Sequence, residues 1–310
     1  MLNAVKDELL DYATFVNLIK NKMTERMGQG YKVKIYKIMK NNSLEHDSLV
    51  MLKEGRRFAP NIYLSPYYES YTSGTPIKEI IDRLTMIYSH CAIPVVQENF
   101  EYSLKVMKPF IFFRLISRER NKKLLSRIPH MEFLDLAVTF HCLVRNETDG
   151  IGTIRISDEH MKRWDITLDQ LKELAFKNTI RLFPPVLKTM EEVIRGLAED
   201  DCTENDDFEY EKPEGEPYSM YILTNEKAIN GASCLLYKNI IREFARSIES
   251  DLYILPSSIH EIILIPVENP DDREHFEKMV REINSSQVPE EEVLSDRVYI
   301  YLLEKDTIIM

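Results

Sequence analysis

Apolar and polar positions follow two periods along this chain, and the places where the period changes mark its elements. In residues 3–27, Leu9, Leu10, Tyr12, Phe15, Val16 and Ile19 recur at the spacing of one helical face. Shorter runs at 31–38, 49–52 and 61–64, separated by polar stretches, read as strands. At Ser65-Pro66 the period lengthens again. A hydroxyl residue suited to an N-cap precedes proline at the first helical position, where a missing N–H costs nothing. Thr75-Pro76 repeats that signal ahead of Ile77, Ile80, Ile81 and Leu84.

The middle third runs through the same order. Strands are expected at 109–116, 134–144 and 153–156, and Ser157-Asp158 opens a short helix ending near Trp164. Thr167 and Gln170 form a capping box before Leu168, Leu171, Leu174 and Ala175. Laid side by side, Asn61-Ile62-Tyr63-Leu64-Ser65 matches Thr153-Ile154-Arg155-Ile156-Ser157, and Ile77-Lys78-Glu79-Ile80 matches Leu168-Asp169-Gln170-Leu171. Tyr71 falls within one position of Trp164. The correspondence reads as an internal duplication, with a fainter third copy starting at Gly231-Ala232-Ser233-Cys234-Leu235-Leu236 and a helix over 237–248. The competing explanation is that strand, cap and helix recur in many proteins of mixed structure.

The last part predicts a hairpin from 251–255 and 259–267 around the turn Pro256-Ser257-Ser258, then a helix over 271–283 and a strand over 297–303. A chain of 310 residues exceeds the size at which one hydrophobic core stops growing. The expected architecture is therefore α+β, in two or three sheet-and-helix units: 1–98, a related unit at 99–197, a linker at 198–216, and 217–310.

Charge locates the linker. Residues 199–216 hold ten carboxylates and one lysine, a net −9 of the chain's −11. Such a block repels itself and buries no apolar surface, so it reads as solvated. Elsewhere the composition is that of a folded globular protein, 44% hydrophobic and 29% charged, with only 9 glycines to support flexible tracts.

The charged start Lys6-Asp7-Glu8 does not fit a secretory leader, and no apolar run has the length of a membrane span. The four cysteines at 91, 142, 202 and 234 lack the two-residue spacing of metal or redox pairs, so they read as reduced thiols in a cytoplasmic protein.

Three strings carry a resemblance: 118–125 (Arg-Glu-Arg-Asn-Lys-Lys-Leu-Leu), 128–138 (Ile-Pro-His-Met-Glu-Phe-Leu-Asp-Leu-Ala-Val) and 255–261 (Leu-Pro-Ser-Ser-Ile-His-Glu). Together with 61–71 and Tyr221-Ile222-Leu223-Thr224-Asn225, they resemble an uncharacterised domain-of-unknown-function family of gut and rumen Clostridia. More distantly, the order of elements is similar to a second bacterial group of unknown function. The resemblance implies a bacterial, cytoplasmic protein and brings no activity, cofactor or site residue with it.

Candidate chemistry is sparse. Ser257-Ser258-Ile259-His260-Glu261 holds nucleophile, base and carboxylate types, yet on a strand over 259–267 His260 and Glu261 point to opposite faces. The string also lacks the second histidine of a helical zinc motif, because Leu264 stands there. His141-Cys142 and His90-Cys91 are adjacent pairs without companions at ligand spacing, so no metal or other cofactor is expected.

Asp135, between Leu134 and Leu136, needs a partner, for which Arg114, Arg118 and His130 are candidates. A structural ion pair is favoured there over acid–base work. His160, near Trp164, reads as helix surface or core edge.

The basic group Arg114, Arg118, Arg120, Lys122, Lys123 and Arg127 reads as a solvated helix face or a partner for the acidic block. Nucleic acid is disfavoured by a pI near 5.3 and the lack of a matching motif. Gly28-Gln29-Gly30 lacks the third glycine of a dinucleotide loop, and Tyr67, Tyr68 and Tyr71 are spaced to pack against a sheet.

The expectation is an intracellular binding or regulatory module whose partner is another protein. The alternative is a hydrolase using carboxylate and histidine side chains drawn from Asp135, His160, His260 and Glu261. The sequence leaves the oligomeric state open.

Overall fold

Asp11 sets the first helix in place. Its carboxylate accepts from the Thr14 N–H at 2.9 Å and the Thr14 hydroxyl at 2.8 Å, and these bonds hold its carboxyl below the usual range. The computed structural model describes residues 9–55, 59–90, 103–147, 150–201 and 219–310, so the helix expected from residue 3 begins within that range at Tyr12. The described chain divides into two compact units, Met1–Lys40 with Leu44–Glu101, and Asn41–Ser43 with Tyr102–Met310.

In the first unit, α1 (Tyr12–Met27) ends at Gly28, whose φ of 69° suits glycine at a helix end. Antiparallel strands β1 (Tyr31–Met39), β2 (Glu45–Lys53) and β3 (Asn61–Tyr63) follow in that spatial order, with Ile35 opposite Leu49 and Leu49 opposite Ile62. Helices α2 (Ser65–Thr72) and α3 (Ile77–His90) complete it. Phe15, Ile19 and Met23 of α1, Leu49 and Met51 of β2, Leu64, and Ile80 and Leu84 of α3 are fully buried together. Tyr68 and Tyr71 lie 5.2 and 5.4 Å from Phe15, and their hydroxyls bond Leu10 O and Leu10 N. The tyrosine strip therefore grips the start of α1.

The second unit opens with α4 (Leu104–Met107), β4 (Ile111–Ser117), α5 (Lys122–Leu125), β5 (His130–Phe133), β6 (Leu136–Glu147) and β7 (Gly150–Arg155). Here β6 is central, with β4 along one side and β5 then β7 along the other, all antiparallel. The strand expected from 134 starts at 136, because Leu134 (φ 53°) and Asp135 form the turn from β5.

Helices α6 (Asp158–Trp164) and α7 (Leu168–Leu182) follow. The Thr167–Gln170 capping box is present in both halves. Phe176 of α7 stacks on Phe113 at 4.5 Å, Asn178 donates to Ile111 O, and Thr179 Oγ1 accepts from Phe113 N at 3.1 Å. Helix side chains thus satisfy the free edge of β4.

The rest of the unit comprises β8 (Pro185–Thr189), α8 (Met190–Asp201), β9 (Tyr221–Asn225), α9 (Ile240–Ser247), β10 (Leu252–Leu255), β11 (Ile262–Pro266), α10 (Arg273–Ser286), β12 (Tyr299–Leu302) and β13 (Thr307–Ile309). Its antiparallel sheet runs β13-β12-β10-β11-β9-β8. Tyr253, Leu255 and Ile265 of this sheet share a core with Phe276 and Val280 of α10.

Gly231–Leu236, expected as the strand of a third copy, is instead a 3-10 turn. Its small residues are buried on every side, so no two-residue alternation exists to make a strand. The acidic block falls mostly outside the described residues, α8 ending at Asp201. Residues 41–43 are pinned in this unit. Asn121 exchanges side-chain and backbone bonds with Asn42, whose own amide donates to Val293 O at 2.7 Å.

Candidate functional site

His260 and Glu261 lie in the loop between β10 and β11, since β11 starts only at Ile262. The expected strand parity therefore does not apply to them. Gly231 fixes the loop. A Cβ there would stand 2.1 Å from Thr224 Oγ1 and 2.3 Å from His260 O, so only glycine allows this approach. Thr224 Oγ1 donates to His260 O at 2.7 Å, and Ala232 N donates to Ile259 O.

The Asn230 N–H then donates to His260 Nδ1 at 3.3 Å, which makes Nδ1 an acceptor and places the ring proton on Nε2. That edge faces Glu292 Oε1 at 3.5 Å. Ser258 Oγ accepts from His260 N, and its hydroxyl bonds the Glu261 carboxylate. Burial raises the Glu261 carboxyl, and Glu292 adds to this, while His260 and Ser258 oppose it. The loop thus gathers Ser258, His260, Glu261 and the distant Glu292, but the serine hydroxyl is engaged with Glu261 and not with the imidazole. The serine–base contact of nucleophilic catalysis is not made.

Asp135 has other partners than the three cations of the sequence reading. Ser295 Oγ donates to it at 2.7 Å, and the buried Tyr299 hydroxyl donates to its second oxygen. Burial and this carboxylate push the Tyr299 phenol far up. Arg118 pairs with Glu132, Arg114 donates to Thr153, and His130 Nδ1 donates to Ile128 O.

His160 closes the N-terminal cap of α6. Its Nδ1 accepts from Ser157 N at 3.0 Å, its ring stacks on Trp164, and burial with nearby Arg163 lowers its basicity. The four nominated residues thus serve three separate local structures. Cys234 is buried, donates to Thr224 O, and has its thiol pushed up to about 12. Cys142 is buried as well, while Cys91 and Cys202 lie outside the described residues.

The basic run also disperses. Arg120 pairs with Asp296 and Lys122 with Glu119, whereas Arg114 sits on the middle sheet. There the register places Phe112, His141 and Arg155 in one row across β4, β6 and β7, and Arg114 opposite Thr139 in the next. Burial, then Arg114 and Arg155, hold His141 well below its ordinary range. Cys142 faces the other way, opposite Ile111. This cationic row escaped the sequence reading. Its signal was Arg114 and His141 recurring at matching parity in two apolar strands, which only register could align.

Among the described residues, no three His, Cys, Asp or Glu side chains are disposed to hold a metal ion, and no helix is long and apolar enough to cross a membrane. Fold and site together define a mixed α+β protein with antiparallel sheets whose polar clusters mostly lock loops and turns. It belongs to a family of unknown function, DUF5688, whose match covers residues 12–302. Comparison with curated proteins and with solved structures finds no match.

Proposed function

We propose that this protein is a bacterial, cytoplasmic binding module without catalytic activity, built partly from two copies of one strand-and-helix unit. The observation that carries this reading is how the acid–base candidates are employed. Asp135 clamps Ser295 and Tyr299, His160 caps α6, and His260 receives the Asn230 N–H. Asp135 and His160 are thereby spent on holding the fold, and the His260 imidazole, held through Nδ1, is not paired with the Ser258 hydroxyl, which is engaged with Glu261. The copies are supported by a shared strand order and by equivalent hydrogen bonds after the third strand, Leu64 N to Asp47 O and Ile156 N to Phe140 O.

A hydrolase reading is favoured only by the loop where a raised Glu261 lies beside a half-exposed His260. The full chain, with His260→Gln and Glu261→Gln variants, should be assayed on chromogenic esters, amides and phosphate esters. No turnover that depends on either residue is expected. Turnover lost in folded His260→Gln protein would replace the binding module by a hydrolase.

A further inference from the structure

We infer that the outer edge of β1 takes up an extended acidic segment of another protein as an added strand, an inference that rests on reading the chain as a binding module. β1 lies outermost in the order β1-β2-β3, and its pairing runs unbroken from Tyr31 opposite Lys53 to Met39 opposite Glu45. It holds no proline and no bulge. In an antiparallel ladder every second residue of an outermost strand turns its N–H and C=O away from its neighbour, so the nine residues of β1 offer about four such donor–acceptor pairs. Among the described residues, no backbone hydrogen bond from another segment reaches that edge.

The other strand edges are blunted in ways that β1 is not. On β4, Thr179 Oγ1 accepts from the Phe113 N–H. β8 opens on Pro185, and β3, β5 and β13 span only three or four residues. β7 lies along a β6 whose register shifts between Leu143 and Arg145. A covering helix, a proline, a short strand and a bulge are all devices that keep an edge from pairing.

β1 carries charge of one sign instead. Lys32, Lys34 and Lys37 are exposed, and among the described residues none of them is in an ion pair. Lys32 stands opposite Leu52, Lys34 opposite Val50 and Tyr36 opposite Ser48, so the face they share presents no carboxylate along the paired strands. Asp47, opposite Lys37, hydrogen-bonds Tyr12. A second copy pairing on this edge would set these lysines against one another, and like charges across a strand pair are destabilising. The same lysines therefore disfavour self-association and select a strand whose glutamates or aspartates face them. Tyr36, 47% exposed, offers that strand a cross-strand aromatic contact beside Lys34.

Fluorescence anisotropy of labelled repeat peptides titrated with the full chain tests this. A Glu-Val repeat is expected to bind saturably, more weakly as salt rises, and to protect the amides of residues 31–39 from hydrogen exchange. A Lys-Val repeat, and a Glu-Pro repeat of the same length and charge that cannot extend the ladder, should each bind about tenfold more weakly or not at all. The double variant Lys32→Glu/Lys34→Glu, checked for folding by circular dichroism, should lose about tenfold in affinity for the Glu-Val repeat and bind the Lys-Val repeat in its place. If that variant does not fold, Lys34→Gln takes its place, with a loss of about threefold. No saturable binding of the Glu-Val repeat, equal binding of the Glu-Pro repeat, or protection confined to residues outside β1 overturns the inference. So does oligothymidylate bound as tightly as the Glu-Val repeat, which would make this a nucleic-acid surface. Each of these results leaves the binding-module reading standing, whereas ester turnover lost in His260→Gln protein sinks that reading and leaves peptide binding at β1 unaltered.

Discussion

Strands β1-β2-β3 with α2 and α3, and strands β4-β6-β7 with α6 and α7, run in the same order and with the same antiparallel directions, but they use the two faces of their sheets differently. On the helix-covered face the residues correspond. Ile35, Leu49 and Ile62 form one row, Ile111, Cys142 and Ile154 the other, and Leu64 and Ile156, one residue past the third strand, are both fully buried.

On the opposite face the rows diverge. Tyr36, Ser48 and Tyr63 stand where Phe112, His141 and Arg155 stand, and Tyr36 is 47% exposed against 1% for Phe112. The helix-covered face must be apolar in both, because it forms the core. The other face differs: in the first region it carries Lys34, Tyr36, His46 and Tyr63, and in the second it carries Arg114, His141 and Arg155 beside a Phe112 that packs with Leu143 and Phe183. Shared topology therefore predicts shared packing and says nothing about shared chemistry.

The strongest test of the correspondence is at its matched core positions. Leu64→Ala and Ile156→Ala should each lower stability by about 2–5 kcal/mol in urea unfolding. A near-neutral result at either one would break the equivalence. Thr179→Val should cost less, about 1–3 kcal/mol, because it strands the buried Phe113 N–H. Its effect sharpens the contrast, since β4 is sealed along its edge by a helix side chain.

The smallest effect concerns His141→Ser, which installs the residue found in the matching row of the first region. The folded state holds His141 below its unfolded value, so its contribution is present above that value and lost as pH falls through and below it. The serine variant should accordingly lose less thermal stability than the wild type between pH 7 and 5. An equal loss in both proteins would show that His141 does not titrate differently on folding.

Local signals were legible. The capping box at Thr167 and Gln170, the cap at Ser157, the proline start of α2 and the glycine end of α1 each act within a few residues of themselves. The misread elements are those where a local pattern met a distant constraint. The apolar run from 259 looks like a strand, yet pairing with β10 reaches only to Ile263, and Gly231 and Glu292 hold the loop before it. β5 and β8 went unseen because their short mixed runs show little alternation.

By itself the sequence determined the mixed class of the fold and the apolar faces of its helices and strands, because periodicity and capping depend only on near neighbours. Tertiary structure alone decided that Asp135 would meet Ser295 and Tyr299, that Glu292 would face His260, and that Arg114 and Arg155 would share one face with His141. A buried polar group takes its partner from whichever segment the fold carries within hydrogen-bond reach, and that choice is written in strand register and loop closure, which no local pattern of residues encodes.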